Sequence, residues 1–445
     1  MIGFALKRLL PFALLIVGAP AFAAAPIQRV VSPGGIEAWL VEETAIPIIS
    51  IGIEFPGGGV LDPEGKEGLA QLFAGLLEEG AGELDAVGFA EAADDIAARY
   101  GFSAGRDSLS ISASMLAENR DASVDLLRLA LTAPRFDEEP LTRVKRQMIS
   151  SIREGKTDPD TIAGKAFFAA TFPGDPYGRP NGGTEESVAA LEAEDMRAAA
   201  PRLLTVGGAH IGVVGAISAA ELGTLLDRLL GDLPKDGPPT PEKTDAAPPP
   251  GVTVIDLDVP QSVAMFGHAG ILRDDPDFIP AYVMNYILGG GGFNSRLTTE
   301  VREKRGLSYS VYSYLMPLDR AGLIVGGVAS ANQAMGESIA VIREEWRKMA
   351  EEGVTADEFD KAKRYLTGAY ALNFDSNAKI ANILVGLQSA GLPIDYPEIR
   401  NALVEAVTVE DIRRVARRLL NEDALSFVIV GRPEGVEGAA KKLAE

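Results

Sequence analysis

Apolar and polar positions along this chain follow two periods, and one succession of them occurs twice. Alternation at every second residue marks a strand, and recurrence about every 3.6 residues marks a helix, because those are the repeats at which side chains return to one face. The runs Ile48 to Phe55 and Ser262 to His268 each predict a strand that leads into a helical pattern. Further on, Leu109, Ile111, Ala113 and Met115 alternate with Ser108, Ser110, Ser112 and Ser114, and Gly322 to Val328 takes the matching place in the second half. Helical runs follow at Ala122 to Leu131 and at Met335 to Met349.

The correspondence continues to the end of each half. Leu141 to Met148 parallels Phe359 to Leu366 at an offset of 218, and His210 to Gly215 parallels Phe427 to Gly431 with the glycine offset by 216. Near-constant offsets over such lengths predict a duplicated domain. Between the copies, Leu233 to Gly251 is crowded with proline, which removes backbone donors and favours extended chain. The expected organisation is a leader at 1–25, domains at 26–233 and 252–445, and a linker at 234–251. Runs of adjacent strands mixed with helices predict an α+β fold, each domain a mostly antiparallel sheet covered by helices.

Lys7 and Arg8 precede the apolar run Leu9 to Val17, and Ala21-Phe22-Ala23-Ala24-Ala25 supplies small residues for cleavage near Ala23 to Ala25. That pattern predicts an exported, periplasmic protein without a membrane anchor, since the apolar run is too short to span a bilayer. Removing Lys7 and Arg8 leaves 40 bases against 63 acids, a net charge of −23. Such acidity argues against binding nucleic acid or anionic membrane. The absence of cysteine excludes thiol catalysis and thiolate metal sites, and only two histidines, His210 and His268, occur.

Gly58 to Gly80 reads as a glycine-rich turn entering an amphipathic helix with Leu69, Leu72, Phe73, Leu76 and Leu77 on its buried stripe. In this context the sequence resembles the pitrilysin and mitochondrial-processing-peptidase family of inverzincin zinc peptidases. Their helix carries H-x-x-E-H, two zinc-ligating histidines with a glutamate as general base. Here those five positions hold Gln71, Leu72, Phe73, Ala74 and Gly75. The third ligand of the family, a glutamate about 75 residues further on, is replaced by Ser150 or Ser151. Glu154 lies one turn beyond, but a lone carboxylate cannot build a three-ligand site. The expectation is no metal in this chain.

In the second half, Leu288 to Ser313 contains S-R-L, V-R-E-K and G-L-x-Y at spacings that resemble the same family. By that resemblance, Arg302 and Tyr309 match an arginine and a tyrosine that face the zinc of the other half across a cavity. They would hydrogen-bond substrate carbonyls and the oxyanion. The alternative is that Arg302 pairs with Glu300 or Glu303 while Tyr309 packs. Gly289, Gly290, Gly291, Gly292 and Phe293 are similar to the start of a substrate-handling glycine-rich loop in the family's non-catalytic subunit, or else form a tight turn.

No G-x-S-x-G elbow or P-loop offers substitute chemistry. The resemblance therefore implies a non-catalytic subunit that pairs with a homologous H-x-x-E-H subunit holding the zinc, and that handles extended peptides. The rival expectation is a peptide-binding or scaffold protein, capturing chain by strand addition along Gly101 to Met115.

Overall fold

The computed structural model describes residues 26–239, 241–437 and 439–441, so the leader read at 1–25 lies outside the described residues. Two six-stranded sheets carry the molecule. The first contains β1 (Gln28–Val31), β2 (Glu37–Glu42), β3 (Ile48–Pro56), β6 (Arg99–Ala104), β7 (Ser108–Leu116) and β8 (His210–Gly215), while β4 (Gly80–Ala81) and β5 (Leu84–Asp85) form a small separate hairpin. The second contains β9 (Gly251–Ile255), β10 (Gln261–Ala269), β11 (Ser308–Pro317), β12 (Gly322–Ala331), β13 (Ser426–Val430) and β14 (Ala439–Lys441).

Strand order is β6-β7-β3-β8-β2-β1 in one sheet and β11-β12-β10-β13-β9-β14 in the other, so each strand has a counterpart in the same place. Both sheets are antiparallel except for β2 with β8 in the first, and β9 with β13 and β14 in the second. The difference lies at the outer edge, where β1 runs antiparallel to β2. β6 and β11 are the end strands on the opposite side.

Each sheet buries one face in its own half. Ile49, Ile51, Ile53 and Phe55 of β3 join Leu109, Ile111, Ala113 and Met115 of β7 in the first core, as the serine alternation requires. Ala264, Phe266, Ile324, Val328, Phe427 and Ile429 do the same in the second, around the buried Trp346.

The other faces are covered by exchange. The Pro159–Thr171 helix, from the first half, packs on β10 and β13 of the second sheet. Its Ile162, Phe167 and Phe168 share a core with Leu323, Val325, Val428 and Val430. In return the Asn377–Ser389 helix packs on β3 and β8, with Leu384 and Leu387 against Trp39, Val41 and Val214. At about 1.5–3 kcal/mol per fully buried large apolar side chain, either helix holds the halves together by several kcal/mol. Gly212 permits the second approach: a Cβ there would lie 2.3 Å from the Ala381 carbonyl oxygen. Gln388 closes it, donating to Ile211 O at 2.9 Å and accepting from Ile211 N at 3.4 Å.

A polar joint fastens the same seam. Arg320, in the turn between β11 and β12, forks onto Asp175 at 3.1 and 2.7 Å and donates to Glu242 O at 2.6 Å. The Tyr177 hydroxyl donates to Asp107 at 2.6 Å and accepts the Arg320 amide at 3.1 Å. The proline-rich segment is tied down here as well, through Thr244 N to Arg320 O and Ala247 N to Thr171 O. It runs as a strap along both halves.

Candidate functional site

The place expected for zinc is a short helix, Leu69–Leu76, set against the first sheet and the Glu138–Gly155 helix. Gly68 sits at φ 91 and has no side chain to cap the helix, so Asp62 reaches in instead. Its carboxylate accepts the amides of Gly68 at 2.8 Å and Ala70 at 3.0 Å. Burial outweighs those donors and pushes the Asp62 pKa up to about 7.

The ligand positions are filled as an ordinary packing surface. Gln71 lies half-buried with its amide oxygen beside Gly182, and Ala74 is buried. A side chain at Gly75 would meet Val144 Cγ1 at 3.4 Å, which makes Val144 the point where the long helix faces it. At about 100° per residue, Ser150 lies roughly 120° around the helix from Val144 and Ser151 only roughly 20°. Ser150 is exposed and bonds Glu154 at 3.3 Å. Of the two candidate serines, Ser151 is the one on the Val144 side of the helix, facing Gly75. Glu154 points to the same solvated side.

The two histidines are engaged elsewhere. His268 is buried, with Nδ1 2.7 Å from Ala269 O and Nε2 accepting the Trp346 indole at 2.9 Å. Burial lowers its pKa, outweighing the Ala269 carbonyl, which acts the other way. His210 stands opposite Glu54 in the β3–β8 ladder, and burial lowers its pKa too. Among the described residues no cluster of three or more histidine, cysteine or acidic side chains could hold a metal ion. The residues present do not fit zinc.

The second half brings its predicted pair together. Arg302 sits near the end of a π-helical segment, Thr298–Glu303, and Gly306 follows at φ 64. The β11–β12 register slips between Ser308 and Ser310, so Tyr309 is the extra residue of a bulge, a device that re-aims a side chain. Tyr309 is 79% exposed. The Arg302 guanidinium lies 5.3 Å from its ring centroid and 4.7 Å from that of the exposed Phe293.

The Arg302 side chain has no hydrogen bond or ion pair among the described residues. Glu300 takes Lys304 and Arg305 instead, so the expected alternative of an Arg302–Glu300 pair does not form. What results is a cation held on aromatic faces, with its N–H donors free for an acceptor.

Gly289 and Phe293 serve different ends. A Cβ on Gly289 would lie 2.3 Å from Ser313 Oγ and 2.6 Å from Ser313 N, so this glycine lets a π turn, Tyr286–Gly290, press against β11. Gly290 and Gly291 are likewise crowded, by Asn285 and Tyr286, while Gly292 takes φ +57 in open space. The run is a packed turn that ends by presenting Phe293.

Arg296, the arginine of S-R-L, holds this segment in place. It forks onto Glu358 at 2.6 and 2.8 Å and bonds Gly353 O at 2.7 Å, pinning the Arg302 segment to the Ala356–Tyr370 helix. Burial would raise the Glu358 pKa, but Arg296 and the Thr355 cap draw it down to about 2.

Comparison with known proteins agrees with this geometry. Residues 190–366 match the family model described as the peptidase M16 inactive domain. A Helicobacter pylori protein named a non-peptidase homolog, YmxG, is 26% identical over 390 residues, 87% of this chain and 90% of its own length. A Bacillus subtilis YmxG, named an uncharacterized zinc protease, is 25% identical over 405 residues, 90% and 98% of the two chains. The crystal structure of a peptidase M16 inactive domain from Pseudomonas fluorescens covers 93% of this chain and 99% of its own, with a TM-score of 0.86 at 27% identity. The chain thus resembles the peptidase M16 inactive domain, by sequence over residues 190–366 and by fold over nearly its whole length, and its Leu69–Leu76 helix carries none of the H-x-x-E-H residues.

Proposed function

We propose that the chain is the zinc-free subunit of a two-subunit peptidase, lending Arg302 and Tyr309 to an active site whose zinc is held by a homologous H-x-x-E-H subunit. The observation that carries this reading is the state of Arg302, braced by Phe293 and Tyr309 and left without an acceptor of its own. A merely structural arginine would be paired, as Arg296 and Arg320 are.

In such an assembly the partner's metal supplies the activated water. Arg302 and the Tyr309 hydroxyl donate to the peptide carbonyl and hold the charge that develops on its oxygen, and Phe293 fixes the guanidinium plane. The export leader expected at 1–25 supports a periplasmic setting for this encounter. No helix among the described residues is long and apolar enough to cross a membrane.

The test is reconstitution with an H-x-x-E-H relative. Arg302→Ala or Tyr309→Phe should lower peptidase activity on the order of a hundredfold while assembly, followed by gel filtration, is unchanged. Full activity in both variants would remove these residues from the chemistry.

One observation favours a second reading. β6 is an end strand with no ladder partner on one side, a surface that accepts an extended peptide as an added strand. Peptide capture without hydrolysis would then survive both substitutions.

A further inference from the structure

The duplication gives the lost zinc place a counterpart in the second half. Residues 70–77 and 281–288 share one burial pattern, with two half-exposed positions four apart and buried residues elsewhere. At that offset of 211, Gln71, Ala74 and Gly75 correspond to Tyr282, Asn285 and Tyr286. The partner helices correspond at the offset of 218, so Met148 and Ser151 map onto Leu366 and Ala369. Tyr282, Asn285, Tyr286, Leu366 and Ala369 all line one cavity of about 610 Å³.

The chemistry of this cavity is distinctive. Tyr282, Tyr286, Tyr314, Tyr365, Tyr370 and Tyr396 line it, six of the ten tyrosines in the chain. Two arginines join them, and no acidic residue does. Arg400, only 6% exposed, donates to Leu366 O at 2.6 Å, Asn401 Oδ1 at 3.0 Å and the Tyr282 hydroxyl at 3.4 Å. Arg273 donates to the Tyr396 hydroxyl at 2.9 Å and lies 4.2 Å over the Phe278 ring. Neither forms an ion pair among the described residues, although the chain carries a net charge of −21. A buried cation held only by neutral acceptors and ring faces leaves its charge uncompensated, which an incoming anion would correct.

We propose that this cavity binds the C-terminal residue of an extended peptide, its carboxylate at Arg273 and Arg400 and its side chain among the tyrosine rings. The volume falls within the range of about 300–1,000 Å³ usual for ligand sites, and the aromatic walls suit an apolar or aromatic residue. A peptide end rather than a small free anion is favoured by the tyrosine walls, which leave room beside the two arginines for a side chain attached to the carboxylate. The site stands on the geometry of this half and does not depend on a zinc-bearing partner.

Calorimetric titration of the isolated chain tests it, using Ala-Ala-Phe as the free acid, the same peptide as its C-terminal amide, and Ala-Glu-Ala amide. The free acid should bind at least about tenfold more tightly than either amide, and Arg273→Gln should weaken it at least about tenfold. Because Arg400 also braces Leu366, Tyr286→Ala serves as the second variant, and circular dichroism confirms that both are folded. Equal binding of acid and amide, equal binding of the Ala-Glu-Ala amide, or unaltered affinity in Arg273→Gln and Tyr286→Ala would each overturn the proposal.

Discussion

Replacing Arg320 by leucine would test the seam on which the whole arrangement depends. The side chains of Arg320 and Asp175 are 7% and 16% exposed, so removal of the guanidinium strands a largely buried carboxylate and the Glu242 carbonyl together. Breaking a buried pair from one side costs about 3–5 kcal/mol. With an unfolding entropy of about 2.1 cal/mol/K per residue over roughly 400 residues, that cost lowers Tm by about 4–6 °C. Scanning calorimetry at pH 7 reads the shift directly. Arg320→Lys keeps the charge and loses the fork, and should fall between wild type and leucine.

The pH dependence sharpens the test. Burial pushes the Asp175 pKa up, but the Arg320 fork and the Tyr177 amide more than reverse this, leaving it below the usual carboxylate value. Its contribution is therefore fully present above about pH 4 and is lost as pH falls through the lower, folded value. The gap between wild type and Arg320→Leu should close in strong acid. A leucine variant within about 1 °C of wild type at pH 7 would refute the reasoning that this joint secures the halves.

Three further outcomes follow from the same structure. Gly212→Val should lower Tm more than the Arg320 change and expose the Asn377–Ser389 helix to hydrogen exchange, because its Cβ meets Ala381 O at 2.3 Å; unchanged protection would contradict this. Gln71→His, Ala74→Glu and Gly75→His with Ser151→Glu should take up zinc, measured by metal analysis, with little or no turnover, since ligand orientation needs hydrogen-bonding groups behind the new histidines that these four substitutions do not supply. The same set built with Ser150→Glu should take up less, and equal uptake would place the helix face wrongly. Asp62, with its pKa raised by burial to about 7, contributes stability that is full below about pH 4 and lost as pH rises through 7. Tm should therefore rise from pH 8 to pH 6 by more in wild type than in Asp62→Asn, and equal rises would contradict the assignment.

Much of this fold was legible because its signals are local. The serine alternation at 108–114 and the apolar run at 48–55 announce strands whose faces are set by period two, and the repeat followed from their common order. The empty zinc positions needed only residue identities. The helix exchange was not legible, since Phe167 and Phe168 declare themselves buried without naming a sheet more than 90 residues away. Arg320 reads as a turn charge and is a buried joint. The bulge at Tyr309 and the π turns at Tyr286–Gly290 and Thr298–Glu303 depend on how β11 meets its neighbours, so sequence spacing could nominate Arg302 and Tyr309 but not their stacking with Phe293. Arg273 and Arg400 were invisible as a pair because only the folded second half brings them to one cavity.

The central claim is that this chain has no catalytic metal of its own and acts by completing another subunit. Peptidase activity on an unstructured peptide, with zinc content determined on the same samples, should be measured for the chain alone, for an H-x-x-E-H relative alone and for the two combined. The account predicts no stoichiometric zinc and no cleavage for the chain alone, with activity of the mixture well above that of the relative. One tightly held zinc and peptide cleavage by the isolated chain, or a mixture no more active than the relative by itself, would contradict it.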